Sequence, residues 1–215
     1  MPTDLQTIEF QAMAYLGQGD LPGARRAIAR SLGTVPAPAL VAYFAGFFEA
    51  AWALDDREHQ LLLRLTPAAF DGDRAWWGQS LAIALWDRGD RAAARAYADS
   101  VLAPTRAQLE GGNASQFHSL YGVLLAYLGR RDEAVAAGER GVALSLEEQN
   151  AANDQYSTLQ LVRIHLALGQ QEPALDRIEQ LLRVPSYVSP GWMRVDPMFQ
   201  ALRGNPRFER LIAQP

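Results

Sequence analysis

The chain contains neither cysteine nor lysine. Without cysteine there is no disulfide framework and no thiolate metal site, and either a reducing or an oxidising compartment stays open. Without lysine, all twenty basic residues are arginine. The chain can therefore supply no Schiff-base amine and no phosphate-loop lysine. Basic charge in excess is missing too. The formal net charge is -4, so neither a nucleic-acid backbone nor an anionic lipid surface is an expected partner. No apolar run reaches the roughly 20 residues of a membrane span. The most apolar stretch, "LVAYFAGFFEAAWAL" at 40–54, is short and interrupted by Glu49. The opening "MPTDLQTIEF" lacks a basic region followed by an apolar run, so no signal peptide is expected there.

What is present is a globular composition, 49% hydrophobic over 215 residues, enough for one large domain or two small ones. One phrase recurs four times: "AYLGQGDLPGARRAI" at 14–28, "ALWDRGDRAAARAYA" at 84–98, "AYLGRRDEAVAAGERGVALS" at 126–145 and "LALGQQEPALDRIEQLL" at 166–182. Aligned on Gly19, Gly89, Gly129 and Gly169, each copy has an alanine five positions on, at Ala24, Ala94, Ala134 and Ala174. Apolar residues recur with helical period on both sides of the glycine. Leu120, Val123, Leu124, Tyr127 and Leu128 precede Gly129, and Ala134, Val135, Gly138 and Val142 follow it. This pattern predicts two antiparallel helices joined at a left-handed glycine cap. Acidic residues just after the turn suit the positive end of the second helix, and the alanine marks a close helix–helix approach.

The glycines lie 70, 40 and 40 residues apart. The first gap predicts a further copy at 39–67, with Asp55-Asp56 in place of the glycine turn. Pro- and Gly-containing breaks at "TVPAP", "TPAAFDGD" and "APTRAQLEGGN" are expected to separate the pairs. The expectation is an all-α, right-handed superhelical solenoid of about five helical hairpins over 1–185, closed by a helical cap over 186–215. In the last segment, Asp196-Pro197 and Asn205-Pro206 each read as a cap residue followed by proline at the first helical position. Phe199, Leu202, Phe208, Leu211 and Ile212 supply its apolar faces.

The hairpins resemble tetratricopeptide repeats, whose pattern sets a small residue in the first helix, glycine at the turn and alanine in the second helix. Ala12, Gly19, Ala24 and Pro36 match it in the first pair, Ala82, Gly89 and Ala94 in the third, and Gly122, Gly129 and Ala134 in the fourth. The fifth pair has Val162 at the small position, and the second departs at the turn. With the tail included, most of the chain also resembles the repeat region that closes large bacterial serine/threonine protein kinases and related regulators. That resemblance implies an accessory helical region of such a regulator, or a free-standing relative of one, without kinase activity, since no nucleotide loop on a strand, H-R-D or D-F-G string occurs. The compartment stays open: a cytoplasmic chain is expected as the sequence stands, and a periplasmic one if it is the tail of a membrane-anchored protein.

Other chemical strings read as structure. "GQGDLPG" at 17–23 resembles a dinucleotide fingerprint, but a helix precedes it where a strand is required. His59, His118 and His165 lie on different predicted helices without metal-ligand spacing. Asp71-Gly72-Asp73 lacks the later ligands of a calcium loop. "NAS" at 113–115 is a glycosylation string only for a secreted chain. No catalytic residue, cofactor or metal is expected.

The expected function is a non-catalytic protein–protein interaction module binding a peptide or partner domain on its concave face. The alternatives are an intramolecular regulatory tail of a signalling kinase and a homo-oligomerisation element. Groove positions projected from the turn glycines, following the family's first-helix pattern, are Met13 (with Glu9 and Leu16), Trp76, Gln79, Ile83, Trp86, Val123 and Tyr127 (with Ser119), Tyr156 and Arg163. The competing use of these aromatics is inter-helix packing. The lysine and asparagine of chaperone-binding relatives are missing from this set, so no chaperone C-terminus is expected. Arg163 as the single cation suggests an apolar ligand with one acidic anchor.

Overall fold

The computed structural model describes residues 4–47, 50–110 and 114–213. Glu49, Asn113 of the glycosylation string, the first three residues and the last two of the tail lie outside them. Among the described residues there is no strand, and none of their helices is long and apolar enough to cross a membrane. Five successive pairs form the solenoid: α1 (Leu5–Gly17) with α2 (Leu21–Ser31), α3 (Ala37–Gly46) with α4 (Asp56–Leu62), α5 (Arg74–Asp87) with α6 (Arg91–Glu110), α7 (Ser115–Tyr127) with α8 (Arg131–Glu147), and α9 (Ala151–Ala167) with α10 (Gln171–Leu181).

The four glycine turns share one geometry. Gly19, Gly89, Gly129 and Gly169 have φ between 73° and 87°, a conformation that side chains resist. Around Gly19, the glycine N–H donates to Leu16 O and the next N–H, of Asp20, reaches back to Tyr15 O. The same two bonds recur as Gly89 to Trp86 with Asp90 to Leu85, Gly129 to Ala126 with Arg130 to Leu125, and Gly169 to Leu166 with Gln170 to His165. This pairing satisfies the last carbonyls of the first helix. Asp20 and Asp90 then cap the next helix, accepting from the N–H groups of Gly23 and Ala93. The alanine five residues on is 0% exposed in all four pairs. In the fourth pair, a Cβ added to Gly122 would lie 2.9 Å from Ala134 O, so the two backbones meet where the sequence places its small residues.

The second pair follows a different rule. The chain passes through a 3₁₀ turn at Ala50–Ala53, and Asp55 caps α4 in a reciprocal box with Glu58. Its turn thus falls at the two aspartates, as the sequence predicts. The expected break at 103–113 begins later than its proline suggests: α6 runs through Pro104 to Glu110. Proline removes one helical hydrogen bond there. Buried Thr105 holds the extension against α5, accepting from Gln79 Nε2 at 2.9 Å, and Gln108 Nε2 donates to Asp73 at 3.0 Å.

After α10, the tail forms α11 (Pro190–Val195), a 3₁₀ turn (Pro197–Leu202) and α12 (Pro206–Ile212). Ser189, Asp196 and Asn205 cap these elements, each followed by proline. The Ser189-Pro190 start carries the same signal as the two read in the sequence. α12 packs on α10, and Arg207 pairs with Glu172, Asp176 and Glu179 along that helix. The tail also reaches the opposite end of the repeat array. Ser189 Oγ donates to Gly17 O at 2.5 Å, and a Cβ on Gly191 would lie 2.2 Å from the same oxygen. Trp192, 1% exposed, packs edge to face on Trp52 with ring centroids 5.5 Å apart. One apolar core joins the first three pairs, the last pair and the tail; a second joins the third, fourth and fifth pairs.

Replacing Gly191 by alanine should therefore separate the tail from the first turn. We expect a loss of about 1–3 kcal/mol in denaturant unfolding, the usual cost of overpacking. Gly33→Ala, where an added Cβ meets nothing within 4 Å, should change stability by less than about 0.5 kcal/mol. Equal effects of the two changes would show that the 17–191 contact is not tight.

Candidate functional site

Three of the projected residues come together. Trp76 and Gln79 at the start of α5 and Tyr156 at the start of α9 line a cavity of about 320 Å³. The end of α3 adds Phe47, α7 adds Gln116, Phe117 and Leu120, and α6 adds Gln108. Phe47 is 41% exposed. It stacks on Tyr43 at 4.4 Å and meets Trp76 edge to face at 5.5 Å. Trp76 is held in turn by its indole N–H donating to Gly46 O at 3.3 Å and by Phe70, 5.4 Å away.

The polar groups of this cavity are oriented by one another. Asp73 caps α5 by accepting from Trp76 N at 3.0 Å through Oδ1, and accepts from Gln108 Nε2 through Oδ2. That bond aims Gln108 Oε1 the other way, where it is buried without a hydrogen-bond partner. Gln116 Nε2 donates to Asn153 Oδ1 at 3.1 Å, linking α7 to α9. Asp73 is the one charged side chain among the described lining residues.

The remaining projected residues are placed elsewhere. Ile83, Val123 and Tyr127 are packed in the core and present no surface to a ligand; Glu9, Leu16 and Ser119 are buried as well. Met13 lines a separate cavity beside Phe10 and Tyr187 of the tail. Trp86 and Arg163 line a polar cleft walled by Arg91, Arg95 and the tail residues Pro197, Met198 and Gln200. Trp86 lies between two partners there, stacked on Tyr127 at 4.0 Å, with the Arg91 guanidinium 3.9 Å from its ring centroid.

Arg163 does not stand in a groove as a free cation. It pairs with Asp87 at 3.1 Å, and the two side chains are 3% and 2% exposed. Helical period brought it to the inner side of α9, but that side is covered by the tail. Burial raises the Asp87 pKa above the ordinary carboxylate value, with the Arg163 charge pulling the other way. Asp196 of the tail joins this cluster. It accepts from Met198 N at 2.8 Å and from the Trp192 indole at 2.9 Å. Burial, helped by the charge of Asp87, pushes its pKa up to about 6.

The histidines stay dispersed over α4, α7 and α9. His165 Nδ1 lies 2.7 Å from Gln170 Oε1, a local contact across the turn. Burial, then Arg88, lowers the His59 pKa; burial, then Arg140, lowers that of His118. Among the described residues no group of three His, Asp or Glu could hold a metal ion.

Phe47, Gln108 and Phe117 belong to the cavity without having been projected. Phe47 sits in the pair with an irregular turn, and Gln108 lies on a second helix past an internal proline, outside any projection confined to first helices. Phe117 had a signal, its helical spacing with Leu120 on α7.

The tetratricopeptide repeat family model matches residues 9–30 and 80–100, which span the turns at Gly19 and Gly89. No curated protein and no solved structure matches the chain. The two matches and the all-helical hairpin array support a protein of tetratricopeptide type. Such repeats generally mediate protein–protein interaction.

The raised Asp196 pKa has a sign for stability. The folded state binds this proton more tightly than the unfolded chain. Its contribution is therefore full below about pH 4 and is lost as pH rises through about 6, roughly 3 kcal/mol in all. In Asp196→Asn, the decline in unfolding free energy between about pH 4 and pH 6.5 should shrink relative to the parent. Parallel pH profiles for the two proteins would refute this assignment.

Proposed function

We propose that this chain is a non-catalytic protein–protein interaction module, holding a segment of a partner protein in the cavity between α3, α5, α7 and α9. The observation that carries this reading is the cavity itself. It is aromatic, part-polar and open between first helices, in an array whose repeats belong by type to interaction scaffolds. Its volume of about 320 Å³ lies at the small end of ligand sites, suited to one or two anchoring side chains. Rigid aromatic walls lose little conformational freedom when a ligand binds.

The kinase-tail resemblance extends the same reading. Within a longer regulator, the segment held would come from a neighbouring domain of the same protein or from a client of that regulator.

A photo-crosslinking residue tests the surface in cells. Placed at Gln116, on the exposed rim of the cavity, it should give a discrete adduct with another protein. At Glu139, exposed on α8, it should not. An adduct with a second copy of the chain would favour the homo-oligomer alternative. Identical adducts at both positions, or none at Gln116, would count against the cavity as the binding surface.

A further inference from the structure

Resting on the interaction reading above, we infer that the α3–α5–α7–α9 cavity takes a cationic side chain, an arginine above all, from the partner segment. Three observations converge on this charge. The first is the balance of charge in the cavity. Asp73 is its one charged side chain among the described lining residues, although the chain carries twenty arginines, and the whole molecule bears a net charge of -4. The Asp73 carboxylate and the overall charge favour a cation, set against the partial positive ends of α5, α7 and α9 that border the cavity.

The second is an acceptor that lacks a donor. Gln108 Oε1 is buried with no hydrogen-bond partner, and its orientation is not interchangeable. The amide nitrogen donates to Asp73 at 3.0 Å, so a flipped amide would set oxygen against carboxylate. A buried acceptor in this state is costly until something donates to it. A guanidinium offers five N–H donors and no acceptor. Gln108 Oε1 is almost fully covered, so a fork that serves both the carboxylate and this oxygen requires the Gln108 side chain to turn toward the ligand.

The third is the aromatic wall. Phe47, Trp76, Phe117 and Tyr156 surround the same space, and aromatic faces attract cations, tryptophan most strongly. The other ligand chemistries fit less well. A carboxylate would face Asp73 and Gln108 Oε1 with no cation to meet it. A purely apolar side chain would cover Asp73 and leave the Gln108 acceptor unpaired. The ligand charge is thus opposite to the one Arg163 suggests in the sequence, because Arg163 is neutralised by Asp87 in another part of the fold.

The test uses four blocked pentapeptides, acetyl-Gly-Ala-X-Ala-Gly-amide, with arginine, citrulline, norleucine or glutamate at X. Citrulline keeps the shape of arginine without its charge. Binding is followed by nuclear magnetic resonance on the Trp76 indole and Gln108 side-chain amide signals of the full chain. The arginine peptide should shift both signals and bind about tenfold more tightly than the citrulline peptide. In Asp73→Asn, which keeps an equally good helix cap, that preference should fall to about threefold, the share the aromatic walls supply. The citrulline comparison in the parent protein stands even if the variant folds poorly. If citrulline, norleucine or glutamate binds these residues as well as arginine does, the cationic assignment fails and the cavity remains a binding site. If arginine shifts only signals elsewhere, the assignment also fails. If none of the four peptides perturbs the cavity, both the assignment and the interaction reading placed there are overturned.

Discussion

The close approach of two helices over a buried alanine is the constraint on which the rest of this molecule depends. Gly122 of α7 comes so near Ala134 and Gly138 of α8 that a single added carbon would collide with backbone. At that separation a short turn can join the helices only if one residue takes a left-handed conformation, which glycine does at least cost. Four of the five pairs repeat this solution. The pairs then stack with their first helices adjacent, and the α3–α5–α7–α9 cavity is the space those helices leave, closed on one side by Gln108 of α6.

A second constraint acts across the array. A solenoid that buries its repeats only against one another leaves apolar faces at its ends. Here one segment serves both. Phe199 and Phe208 stack in the tail core at 5.9 Å, α12 lies on α10, and Gly191 rests on the turn of the first pair. The same closure buries three charges together. Arg163 pairs with Asp87 directly, and its charge also acts on Asp196. Buried ion pairs are poor sources of net stability, because desolvation offsets their attraction. Their geometric demand is strict nonetheless: either carboxylate without the arginine would be a buried uncompensated charge.

These two constraints divide the aromatic residues between structure and surface. Tyr127 and Trp192 are enclosed by packing, and Trp86 is sandwiched between a ring and a guanidinium. Trp76, Phe117 and Tyr156 keep access to the cavity. All of them lie at helical spacing, so period alone does not separate the groups. What separates them is position along the helix. The cavity is lined by the starts of α5, α7 and α9, whereas Trp86 and Tyr127 lie at helix ends, near the cleft that the tail walls in.

Local chemistry was readable from the sequence alone. The turn glycines, the aspartate turn of the second pair and the cap-proline starts of the tail are set by neighbours within five residues. Backbone sterics and short-range hydrogen bonds decide them without reference to the rest of the chain. The all-α class followed from their repetition. Only the tertiary structure decided which inner faces stay open. The Ser189–Gly17 bond spans 172 residues and the Arg163–Asp87 pair spans 76. Tertiary packing likewise carried α6 past Pro104 and brought Gln108 to Asp73. Helical period assigns a residue to a face, but whether that face meets solvent or a distant segment depends on how remote surfaces pack. Arg163 reads as a groove cation in sequence and is a buried ion-pair partner in the fold for that reason.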